Sequence, residues 1–431
     1  MYTCYTFAHM SKWKEYLRGA LGPGLITGAS DDDPSGIATY TQAGAIAGLS
    51  FLWTTFFTLP FMVAIEELSA RIALVTGRGL IRNLKQTTSR SVVAVLVLLL
   101  LIANVINIGA DLGMMAASAQ LVVHAPFWAW LLCFAGLTLA LEIFLHYKTY
   151  ARYLRWLTLA LFAYVIVGLS VSVPWHQAFL ATTIPHLAFT KEALMLFLAL
   201  LGTTISPYLF FWEAGQVLEE ERLEGHISEA RPRQSNLLLV DDIGKMRADV
   251  GTGMIFSNTV SWFIILTSGV VLHQLGILSV DTPDQAARVL APVLGSWSQL
   301  LFALGVIGTG LLAIPVLSAS AAYACAELFS MNEGLNESWN KAKFFYGVIV
   351  LSGVVGFFLN FSSVSPIDAL IYSAVCNALI AAPLVFFLIQ LGNNALLMGR
   401  FVSGRWSRIG CWGVFFLMGI SSLAWLAFQI F

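Results

Sequence analysis

Gly28-Ala29-Ser30-Asp31-Asp32-Asp33-Pro34-Ser35-Gly36 and Gly202-Thr203-Thr204-Ile205-Ser206-Pro207 interrupt two otherwise apolar stretches of this chain. Each has apolar sequence on both sides and carries a polar residue followed by proline. Proline removes a backbone donor and disfavours helix at the residue before it. The carbonyls released there cannot face lipid, so they must face protein or a water-filled cavity. A matched pair of interrupted helices in corresponding halves of a membrane chain points to a transporter's midplane binding site. Three consecutive carboxylates in the first break make a cation the expected cargo.

Composition agrees with a membrane chain. The 431 residues are 58% hydrophobic and 11% charged, with a mean hydropathy of +0.79, whereas a soluble domain carries roughly 25% charged residues. The net charge of -1 implies no electrostatic pull toward nucleic acid, so no nucleic-acid partner is expected. Cys4, Cys133, Cys325, Cys376 and Cys411 are scattered without CxxC spacing, which suggests neither a disulfide framework nor a zinc site. Met1–Trp13 is polar and aromatic, so no cleavable signal peptide is expected, and Met10 is an alternative start.

Apolar stretches long enough to span a bilayer fall at about 16–47 (broken), 51–74, 92–122, 127–146, 153–173, 191–217 (broken), 250–273, 298–328, 344–361, 367–391 and 409–430. They predict eleven helices. With the N-terminus cytoplasmic, every Lys and Arg except Lys191 and Arg288 falls on the cytoplasmic side, as positive-inside orientation requires. The C-terminus is then outside. The polar segment 219–247 reads as a solvated cytoplasmic loop, too short for a core of its own. Breaks in spans one and six imply a repeat of five helices, and an odd offset inverts the second copy. The expected fold is all-α, a LeuT-type 5+5 inverted repeat in one domain over 1–431. Its first repeat lies at about 16–173, its second at about 191–391, and an appended helix at about 409–430.

The run Gly22-Pro23-Gly24-Leu25, followed by Asp33-Pro34-Ser35-Gly36, resembles the opening of the natural resistance-associated macrophage protein (NRAMP) divalent-metal transporters. In that family the first break reads Asp-Pro-Gly-Asn. Further pieces match in order: Ala70-Arg71 with Thr76-Gly77-Arg78, Asp111-Leu112, Ala291-Pro292-Val293-Leu294-Gly295, and Leu397-Met398-Gly399. The resemblance implies a secondary transporter of divalent metal cations, without a cofactor and without an obligate protein partner, in the cell membrane. Asp33 aligns with the family's metal-binding Asp. Intramembrane carboxylates are costly unless functional, although an acidic helix N-cap is the bland alternative.

Where the family places Met before the second Pro and Asn at the end of the first break, this chain has Ser206 and Gly36. A thioether favours later transition metals, whereas oxygen ligands suit magnesium, calcium and manganese. Both changes also remove volume, and magnesium keeps its waters. The pattern resembles the NRAMP-related magnesium transporters, so the expected cargo is Mg2+ and/or Mn2+. The remaining candidate ligands are Ser30, Asp32, Thr203 and Thr204. Asn377 is an intramembrane amide that either faces the same cavity or makes an interhelical hydrogen bond.

The family's proton relay looks dismantled. Asp111 matches the helix-three Asp, but Met114 stands where the family has Glu. Tyr208 and Glu213 replace two histidines, and span nine has no Lys, Arg or His within it. Transport is therefore expected to be weakly proton-coupled or uncoupled, with Asp111 and Glu213 on a possible ion or proton pathway. Glu67 with Arg71, and Glu142 with His146, are spaced as i,i+4 pairs. Two other readings stand beside this one, a proton-coupled Mn2+/Fe2+ importer and a LeuT-fold amino-acid transporter; three Asp would repel an amino acid's carboxylate. No HExxH, nucleophile elbow or His/Asp cluster points to an enzyme.

Overall fold

The computed structural model describes residues 27–28, 30–145, 159–223, 225 and 236–430. All of the regular structure among them is helical: α1 (Pro34–Ala47), α2 (Leu52–Thr76), α3 (Leu80–Thr87), α4 (Arg90–Val122), α5 (Phe127–Phe144), α6 (Phe162–Ser170), α7 (Trp175–Thr183), α8 (Lys191–Thr204), α9 (Pro207–Leu223), α10 (Asn236–Val271), α11 (Ser298–Phe329), α12 (Lys343–Leu359), α13 (Pro366–Asn393) and α14 (Arg405–Ile430), with short turns between. Among the described residues seven spans are long and apolar enough to cross a bilayer, and two shorter apolar helices join them. α2, and α1 with the helical residues described before it, occupy the two other expected spans; residues 16–26 of the first and 153–158 of the fifth lie outside the described residues.

Both breaks fall where proline placed them. Residues 30–31 are helical, Asp32 is a bend, Asp33 is extended, and helix resumes at Pro34. On the other side α8 ends at Thr204, Ile205 and Ser206 are non-helical, and α9 starts at Pro207. In each case proline takes the first helical position, where its missing N–H would be unpaired anyway.

α1 lies at the centre, packed against α4, α8, α10, α11 and α13. Small residues allow the closest approaches. A Cβ on Gly44 would stand 2.5 Å from the Ile265 carbonyl oxygen of α10, and one on Gly202 would stand 1.8 Å from that of Ala374 on α13. Without a hydrophobic drive between helices in lipid, such close backbone contact is a main source of association. The rim is apolar: Trp128, Leu132 and Phe144 on α5, Leu169 on α6, and Ile420 and Leu423 on α14 are exposed, as a lipid-facing surface requires.

The segment 219–247 departs from the expected loop on both flanks. α9 runs on to Leu223, and α10 begins at Asn236. Leu239, Ile243, Met246 and Val250 are buried at intervals of four, three and four residues, an amphipathic face that average hydropathy conceals among charges. Glu219 is buried too. It accepts from the Tyr323 hydroxyl, the Leu335 amide (2.6 Å) and the Asn336 amide, tying α9 to α11 and the loop beyond. His146 lies outside the described residues; Glu142 accepts from Ser318 Oγ at 2.9 Å. The Glu67–Arg71 pair is formed at 2.9 Å, and Arg247 Nη2 adds a second cation to Glu67 at 2.8 Å. Arg71 also donates to the Phe401 carbonyl oxygen at 2.6 Å, linking α2 to the segment before α14.

Candidate metal site

Asp33 does two jobs at once. Its Oδ1 accepts from the Gly36 amide at 2.7 Å, which caps α1. Its Oδ2 accepts from Asn107 Nδ2 at 3.0 Å and from the Tyr208 hydroxyl at 3.4 Å. The N-cap reading and the ligand position are therefore compatible. The helix N-terminus stabilises the negative charge, while the second oxygen points among polar groups of α4 and α9.

Tyr208 joins the two ends of the first break. Its hydroxyl is also 3.4 Å from the Ser30 carbonyl oxygen. Between the breaks, Ser35 Oγ lies 3.3 Å from Thr203 Oγ1. Tyr40 OH lies 3.2 Å from Thr204 Oγ1, which donates to the Leu200 carbonyl at 2.6 Å. The two breaks thus form a polar layer in which Asp33 and Ser30 meet at Tyr208, while Thr203 and Thr204 meet Ser35 and Tyr40 of α1. Ser206 is at the layer but turned back on its own helix. Its Oγ is 2.8 Å from the Gly202 oxygen and 2.9 Å from that of Thr203, so it covers carbonyls that the break released.

Gly36 is tightly enclosed. A Cβ there would sit 3.2 Å from the Tyr40 ring, 3.3 Å from the Asp31 oxygen and 3.3 Å from Thr203 Oγ1. The site has closed over the volume that a longer residue would occupy. Asp33, Asn107, Asp111, Ser206, Tyr208 and Asn377 are all buried.

Asn107 is the residue that sequence reasoning missed. It donates to Asp33 and also to Asp111 Oδ2 at 3.1 Å. Its own oxygen accepts from Ser373 Oγ at 3.0 Å and Asn377 Nδ2 at 3.4 Å. Asn377 therefore reaches Asp33 only through Asn107, and its interhelical bond is present. The available signal was the i,i+4 spacing of Asn107 and Asp111 in an apolar span. Glu213 is buried, and it accepts from Thr27 Oγ1 at 2.7 Å. Glu66, also missed, is buried close enough to Glu213 and Asp31 to interact electrostatically.

Among the described residues no three acids, histidines or cysteines converge as a metal cage. A cation here would meet one carboxylate, Asp33, with neutral oxygens around it. Such a set suits a hard divalent ion that keeps part of its water.

The chain matches the family model "Natural resistance-associated macrophage protein-like" over residues 24–427. It is 24% identical over 420 residues to a divalent metal cation transporter MntH of Klebsiella pneumoniae, covering 94% of this chain and 93% of the relative. An MntH of Acidiphilium cryptum is 26% identical over 424 residues, covering 95% and 90%. In structure the chain resembles a manganese transporter of Eremococcus coleocola, with a TM-score of 0.71, 18% identity, and 97% and 87% coverage. It also resembles Mhp1, a nucleobase-cation-symport-1 family transporter, with a TM-score of 0.55, 13% identity, and 95% and 93% coverage. The fold is thus the LeuT type.

Proposed function

This chain belongs to the natural resistance-associated macrophage protein family, and from that premise we propose that it carries divalent metal cations across a membrane through the Asp33 site. The observation that carries the reading is Asp33 itself, a buried carboxylate at a helix break whose Oδ2 meets, among the described residues, the neutral donors Asn107 and Tyr208. The role is that of a carrier and not of an enzyme. Its ligands are Asp33 first, then Ser30, Thr203 and Thr204 oxygens, with Asn107 holding the carboxylate in place.

Mn2+ is the cargo that the relatives favour, since they are named MntH or manganese transporter. The magnesium expectation finds no support in those names and rests on donor chemistry alone. A site built on the Asp33 carboxylate, with no thioether at Ser206, suits both ions, so Mg2+ enters as a competitor for the same site. Weak proton coupling rests on Met114, on Tyr208 at the carboxylate, and on the absence of a basic residue in α12 after Lys343. The five-plus-five repeat division and the cytoplasmic N-terminus belong to the same proposal, supported by the two breaks and by the Lys and Arg distribution.

The deciding experiment is Mn2+ uptake into proteoliposomes by the wild type and by Asp33→Ala. Loss of uptake in a monodisperse variant is expected. Wild-type rates in the variant would remove Asp33 from the pathway.

A further inference from the structure

The three consecutive aspartates do not share one environment. Asp33 turns to α4 and α9, whereas Asp31 and Asp32 turn to α10. Ser257 Oγ lies 2.6 Å from Asp31 Oδ2, and Ser261 Oγ lies 3.0 Å from Asp32 Oδ1. The two serines are one turn apart, so they present their hydroxyls on one face. Both aspartates are fully buried, and among the described residues Asp31 Oδ1 and Asp32 Oδ2 have no hydrogen-bond partner. Among the described residues neither forms an ion pair with a basic side chain. Glu66 on α2 is buried as well, and its Oε2 likewise has no partner among the described residues.

Two adjacent buried carboxylates are unfavourable as ions without a counter-ion, because each charge has lost its water. The arrangement supplies the remedy in its own chemistry. Two carboxylates and two hydroxyls are hard oxygen donors. Two negative charges are neutralised by one divalent cation, and the free carboxylate oxygens are the ones left for it.

We infer that Asp31, Asp32, Ser257 and Ser261 form a second, oxygen-only site for a divalent cation, between the first break and α10 and separate from the Asp33 site. It goes beyond the transport reading, since it adds a bound ion to the one carried.

The test counts Mn2+ bound to the purified full-length protein by equilibrium dialysis, with free Mn2+ read by electron paramagnetic resonance. Two saturable ions are expected for the wild type, one for Asp33→Ala, one for Asp31→Asn/Asp32→Asn, and none for the combination. Ser257→Ala/Ser261→Ala keeps both carboxylates and is expected to weaken only the second ion, roughly tenfold or more. That variant decides the matter if the aspartate double variant is not monodisperse. An unchanged second ion in the serine variant overturns the proposal. So does a wild type with a single Mn2+ that Asp33→Ala removes, an outcome that leaves the Asp33 reading standing. A single Mn2+ that survives Asp33→Ala and is lost in Asp31→Asn/Asp32→Asn supports the second site and counts against the first.

Discussion

Asn107 Nδ2 stands 3.0 Å from Asp33 Oδ2, placing a neutral amide against the carboxylate at the first break. The same nitrogen reaches Asp111, and the amide oxygen is held by Ser373 and Asn377. A neutral donor orients the carboxylate without cancelling its charge, which a lysine or arginine would do.

Asn107→Ala leaves Asp33 Oδ2 with only the 3.4 Å contact to Tyr208. Hydrogen bonds to charged groups contribute about 1.5–3 kcal/mol. The half-saturating Mn2+ concentration for uptake is expected to rise roughly tenfold or more. Uptake kinetics in proteoliposomes give the answer, and an unchanged half-saturation would mean that Asn107 does not position the ligand.

Ser206→Met is expected to shift preference toward manganese and cadmium and away from magnesium. The thioether is a soft donor and fills space that hydrated magnesium needs. It also removes the hydroxyl from the Gly202 and Thr203 carbonyls. One good ligand is worth on the order of one to a few kcal/mol, or roughly tenfold or more in relative affinity. The measurement is the unlabelled Mg2+ needed to halve Mn2+ uptake. Failure of Mg2+ to compete in the wild type ends the magnesium reading, and equal competition in both shows that Ser206 does not face the ion.

Gly36→Asn is expected to lower both uptake and thermal stability rather than restore the family's ligand. The new Cβ would press on Tyr40, on the Asp31 oxygen and on Thr203 Oγ1 at 3.2–3.3 Å. Overpacking of this kind costs about 1–3 kcal/mol. A thermal-unfolding scan beside the uptake assay checks it; a variant as stable as wild type and more active would show room that the structure does not have.

Little proton movement is expected with the metal. A pH-sensitive dye inside liposomes should stay flat while Mn2+ enters. Acidification that tracks uptake would show that a proton relay survives and would restore the proton-coupled importer reading.

The two breaks, the long apolar helices and the LeuT-type fold were legible from the chain itself. Proline placement and apolar run length are local properties, and bilayer thickness converts them into helices. The place of Asp33 at the first break was legible for the same reason, since Pro34 fixes where the helix resumes. Leu239, Ile243, Met246 and Val250 show where that reading stopped, because a charged helix whose buried face lies against its neighbours averages to the hydropathy of a loop. Only the tertiary structure decided how the acids divide. Asp31 and Asp32 meet Ser257 and Ser261, some 226 to 229 positions away, while Asp33 meets Asn107, 74 positions away. Nothing local distinguishes three consecutive aspartates, but a backbone that unwinds from helix at Asp31 to extended at Asp33 turns successive side chains in different directions. Which helix each one finds is set by packing between distant segments, which no local pattern encodes.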